Sequence, residues 1–172
     1  MLEMQKFLIT TDEVLLLARG MSVHLEEDKI ETYLREAENI DVRAALGDEL
    51  LLDIKEHPDN YDLLLNGGTY QTKCGSTRLL IGLKSALAYY TYARIVKCGD
   101  LNVTRFGSVL NDSEESSRPS FKEKMQAYND AFSIAANYMQ ECVDYLRETN
   151  HPLHSKKNTI RVNGTNYKVI GE

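Results

Sequence analysis

Histidine, cysteine and charged side chains decide which reactions a chain can run, and this sequence of 172 residues has four histidines and three cysteines. His151 and His154 stand either side of Pro152, and Cys142 lies at no recognised zinc spacing from them, so a solvated turn is expected there. His24 and His57 fall near predicted helix ends, where polar side chains are common. Cys74, Cys98 and Cys142 are odd in number and far apart, which suits neither a disulfide framework nor a metal site. Reduced thiols, no metal and no cofactor are the expectation. A Gly-rich phosphate loop, a nucleophile elbow and paired Cys or His clusters are all missing from the sequence.

One enzymatic arrangement can still be drawn. Arg147 and His154 are separated by six residues near a helix end, a spacing faintly similar to the Arg/His pair of helical HEPN ribonucleases. In that alternative, a small ribonuclease-like toxin, His154 is the general base on a ribose 2′-hydroxyl and Arg147 steadies the phosphate. Glu148 directly after the arginine and the intervening Pro152 argue against it. The reading preferred is that of a protein without enzymatic activity.

Composition sets the frame for the elements that would position any site. Hydrophobic residues make up 42% and charged residues 27%, enough for one domain with its own core. A net charge of −6 and a pI near 5.3 disfavour a free nucleic-acid binder, whose affinity comes from Lys and Arg on phosphate. MLEMQKFLIT has no basic start before an apolar stretch, and the apolar runs are too short to cross a bilayer, so a soluble intracellular protein is expected.

Helical signals dominate, and the fold class expected is mainly α: a bundle of about five helices with one or two small β-hairpins and a long interhelical loop. Thr10 and Glu13 have the form of a capping box before Val14–Leu17. Asp28 and Glu31 suggest a second cap, followed by Ile30, Tyr33, Leu34, Ala37 and Ile40 on one face, with Lys29, Glu31, Arg35, Glu36 and Glu38 solvated opposite. Further helices are predicted at Asp48–Glu56, about 60–65, and 82–97. A hairpin turning at Cys74-Gly75 is expected to place Tyr70 and Leu79 on one face. Ser120 and Glu123 form another capping box. Phe121, Met125, Tyr128, Phe132, Ala135, Met139, Cys142 and Leu146 then recur at spacings of four and three, a bundle seam in preference to a coiled-coil dimer.

Two segments fall outside this bundle. The connection at 99–120 begins with LNVTRFGSVL, whose Val103, Phe106, Val109 and Leu110 need cover, and ends in the polar NDSEESSRPS. The helical domain is therefore assigned to residues 1–150, with a C-terminal extension at 151–172. In that extension Asn163-Gly164 signals a hairpin with Ile160, Val162, Tyr167 and Val169 on one face. Both apolar segments are candidate arms for contacts with other chains, because an isolated hairpin is marginal in water.

The segments YLREAENIDVRAALGDELLLDI, YDLLLNGGTY, GLKSALAYYTYARIV and GDLNVTRFGSVL together resemble the head-tail connector, or adaptor, proteins of tailed bacteriophages, including neck ring proteins of crAss-like phages. The resemblance implies a homo-oligomeric ring, a dodecamer in the virion, beneath the portal protein and joined to further neck or tail proteins. DNA would pass through an acidic lumen without specific binding, and no membrane is involved. It implies location in the head-tail neck, with assembly in the host cytoplasm. Asn102, Val103, Thr104, Phe106 and Gly107 match the segment that the resemblance places between subunits.

Overall fold

A computed structural model describes residues 7–21, 25–98, 101–104, 107–110 and 120–155. The fold is mainly helical, with two small antiparallel hairpins, in line with the sequence pattern. Its helices are α1 (Thr11–Leu17), α2 (Glu27–Ala37), α3 (Arg43–Leu46), α4 (Asp48–Glu56), α5 (Asp62–Asn66), α6 (Leu83–Cys98), α7 (Phe121–Glu148) and α8 (Pro152–Ser155). The strands are β1 (Gly68–Gln71), β2 (Thr77–Leu80), β3 (Leu101–Thr104) and β4 (Gly107–Leu110). His24, Phe106, the polar half of the long connection and the terminal segment with Ile160, Val162, Tyr167 and Val169 lie outside the described residues.

Both predicted capping boxes are present. The Glu13 amide donates to Thr10 Oγ1 at 3.2 Å, and the Glu13 carboxylate takes the Thr10 amide at 2.8 Å. Ser120 and Glu123 repeat the exchange at the start of α7. The cap expected at Asp28 is not formed: the Glu26 carbonyl already accepts from Lys29 and Ile30, so the helix starts at Glu27 and Asp28 sits in its acidic first turn.

α6 and α7 are the principal packed pair, and α1 and α2 lie against α6. Leu83, Ala86, Leu87, Tyr90 and Ala93 of α6 are buried, as are Ala131, Ala135, Met139, Cys142 and Leu146 of α7. The apolar stripe of α7 is thus an intramolecular seam along its C-terminal two thirds. It is not covered at its start, where Phe121 is 80% exposed, because α6 ends near Tyr128.

The largest departure from the expected pattern comes after Ala37. The chain makes a π-helical turn over Glu38–Val42, and the extra residue in that turn shifts the phase of everything that follows. The inward positions become Ile30, Leu34, Ala37, Val42 and Leu46. Ile40 is therefore 58% exposed, and Glu38, expected in solvent, is 2% exposed.

The hairpin β1–β2 forms where predicted but in a different register. Tyr70 pairs with Arg78, and Leu79 lies opposite Thr69. The turn is set by Thr72, whose amide donates to the Ser76 carbonyl at 2.8 Å, and by Gly75 at φ +82. Leu80, not Leu79, therefore shares a face with Tyr70 and enters the core. At its base the hairpin crosses itself closely: a Cβ on Gly67 would stand 2.4 Å from the Ile81 carbonyl oxygen, and one on Gly82 2.7 Å from the Gly67 nitrogen.

Candidate functional site

The apolar half of the connection between α6 and α7 is not an irregular loop. Leu101–Thr104 and Gly107–Leu110 pair as a hairpin in the register Leu101↔Leu110, Asn102↔Val109, Val103↔Ser108 and Thr104↔Gly107. β-branched residues at 103, 104 and 109 favour the extended backbone. Hydrophobicity alone did not reveal this because the turn lacks the Asn-Gly or Asp-Gly signal that marks a tight hairpin. Of the interface candidates, Asn102, Val103, Thr104, Gly107, Val109 and Leu110 all belong to this one hairpin. Among the described residues its main contacts are those between its own two strands.

The hairpin leaves the end of α6 beside the first turns of α7, where Lys97 Nζ sits 4.7 Å above the Tyr128 ring. Those first turns of α7 line a shallow, open depression with Phe121, Met125, Gln126, Asn129 and Asp130.

β1–β2 is fixed instead to the far end of α7. Tyr70 meets Tyr145 edge-on at 5.0 Å, and Lys73 Nζ donates to the Arg147 carbonyl at 3.1 Å and to Asn150 Oδ1 at 2.8 Å. That lysine caps the C-terminal end of α7. Thr77, Arg78 and Leu79 are exposed at three successive positions, and among the described residues no third strand pairs with the outer edge of β2.

The charged groups in the interior hold the helices together. Glu38 accepts the Leu8 amide at 2.8 Å and pairs with Lys55 of α4, tying the N-terminal segment, the π turn and α4 to one carboxylate. Asp41 lies 2.7 Å from Arg94 Nη1 as an ion pair whose N–H is poorly aligned with the oxygen. Burial holds the Asp41 carboxyl above its ordinary range despite that arginine. Burial first, and the Asp41 charge second, push the Tyr90 hydroxyl up to about 12.

Sequence reasoning missed these pairs because only the phase shift at the π turn brings Glu38 and Asp41 inward. The histidine expected in a solvated turn is also half-buried: the His151 ring packs 5.5 Å from Tyr61, and its Nδ1 is buried with no hydrogen-bond partner. Arg147 pairs with Asp144 at 3.3 Å, and His154 lies on α8, which packs on α4 and α7. The three cysteines are free: Cys74 exposed, Cys98 half-buried and Cys142 buried. Among the described residues no group of His, Cys, Asp and Glu is arranged to hold a metal, and no helix is long and apolar enough to cross a membrane.

Residues 42–164 match DUF6712, described as a family of unknown function, and this span is more than two thirds of the chain. The chain belongs to that family. The DUF6712 match starts at the end of the π turn and spans α3 to α8, with both hairpins among them. No curated protein and no solved structure matches the chain.

Proposed function

We propose that this protein is a structural subunit, without enzymatic activity, of an oligomeric ring: a head-tail connector in the neck of a tailed bacteriophage that docks on the portal and joins capsid to tail. The observation that carries the reading is the β3–β4 hairpin, whose contacts among the described residues are chiefly between its own two strands. Two strands alone are marginal in water, and sheet edges are templates for another chain. A hairpin of this kind suits an arm that gains its stability on assembly. The resemblance of LNVTRFGSVL and the preceding helices to connector proteins supplies the identity of the assembly.

In this role copies meet through a heterologous contact that closes by rotation, and the acidic surface lets DNA pass without sticking. Electron microscopy of the purified protein mixed with the portal protein from the same genome tests the reading. Rings seated on the portal are expected. A protein that stays a lone particle in the presence of its portal, or that cleaves RNA in a manner lost on His154→Ala, would refute it.

A further inference from the structure

The two hairpins lie at opposite ends of the α6–α7 pair. β1–β2 is anchored at Tyr145 and beyond, whereas β3–β4 departs beside Tyr128. The helical rise between those two residues is about 25 Å. A four-residue strand spans about 13 Å, so β3–β4 falls well short of its own molecule's β2.

β2 has the features of a receiving edge. β2 presents Thr77, Arg78 and Leu79 to solvent in succession, with Leu79 65% exposed. It has no proline, the residue that most simply blocks an edge. All four strands are four residues long, so either hairpin matches the other in length. The acceptor side is also rigid: the Gly67–Gly82 crossing and the Lys73 clamp on α7 fix β1–β2 before any partner arrives.

We infer that the open edge of β2 is the receiving site for the β3–β4 hairpin of a second copy of this chain, giving a four-stranded sheet shared between neighbours. The donor and acceptor are different surfaces at opposite ends of the molecule. Repeating the contact therefore propagates copies head to tail, the arrangement that closes into a ring. Main-chain hydrogen bonds supply the affinity, and Leu79 gains cover. The inference rests on the ring reading and names the contact within it.

Paired cysteines test it in a chain that also carries Cys74→Ser and Cys98→Ser. Arg78→Cys is combined with Asn102→Cys in one variant and with Val109→Cys in another, because neighbouring strands bring Cβ atoms within disulfide range. Each is assembled with the portal and oxidised. A disulfide between copies in one of the two variants is the expected result. In parallel, Leu79→Lys is expected to weaken assembly by about tenfold without shifting the melting temperature, since a lysine on an exposed edge opposes strand addition. Rings that form with neither disulfide, or that tolerate Leu79→Lys, overturn the inference and leave the ring reading standing. A chain that never forms rings removes both.

Discussion

Glu38 is one carboxylate that holds three segments. Replacing it with alanine takes the Glu38 carboxylate away from Lys55, which is 12% exposed, and also strips the Leu8 amide of its acceptor. Breaking a buried pair from one side costs about 3–5 kcal/mol, which urea denaturation of Glu38→Ala should show. The double change Glu38→Leu with Lys55→Met should lose less than the single one, because both charges of the pair leave the interior together.

Glu13 gives a pH-dependent counterpart. Burial pushes its carboxyl up, but Lys84 at 2.7 Å and the Thr10 amide bring it below the usual carboxylate value. Its stabilising contribution is therefore complete above the unfolded-state value and is lost as pH falls through the lower, folded-state one. Asp41, raised by burial, works in the opposite sense. Glu13→Gln should flatten the loss of stability between about pH 6 and pH 3, measured as urea midpoints across that range. The capping box was legible in the sequence because it depends on residues three apart. The Glu38 pair was not, because it joins positions 17 and 30 residues apart that only the tertiary fold brings together.

At the scale of elements, most helices announce themselves through period and caps: α1, α4, α6 and α7 lie where the pattern placed them. α2 shows the limit of that method. Its stripe runs true to Ala37, then one extra residue per turn moves the inward position from Ile40 to Val42, and no local residue preference signals a π turn. Truncating each side chain distinguishes the two phases. Val42→Ala should cost about 2 kcal/mol in thermal or chemical unfolding, while Ile40→Ala should stay within about 0.5 kcal/mol.

The glycine crossing under β1–β2 is likewise a matter of contacts distant in sequence. Gly67→Ala places a methyl group against the Ile81 carbonyl at a φ of +83, and should destabilise by about 1–3 kcal/mol. Gly20→Ala, with open space around it, should change little. The hairpin register differs by one residue from the one that apolar alternation suggests for a related reason: it follows from how Thr72 and Gly75 close the turn.

For the whole molecule, the helical core and the β3–β4 arm should be separable. Deleting Asn102–Leu110 is expected to abolish ring formation with the portal while circular dichroism changes little. A collapse of helicity would show the hairpin to be part of the core. Fold class was readable because burying amphipathic helices on one another leaves few architectures. The β3–β4 strands were readable only as a surplus of apolar residues outside the helical pattern, since their turn carries no tight-hairpin signal. The depth of the three thiols has a practical consequence. Cys142 is fully buried, and burial, with Glu141 nearby, pushes its thiol up to about 12, whereas Cys74 is exposed and hydrogen bonds from Thr72 and Ser76 lower it. An alkylating reagent should thus mark Cys74 promptly and reach Cys142 only when the interior around α7 breathes, so the slow phase of modification is a native stopwatch for local opening, readable by mass spectrometry with no engineered probe.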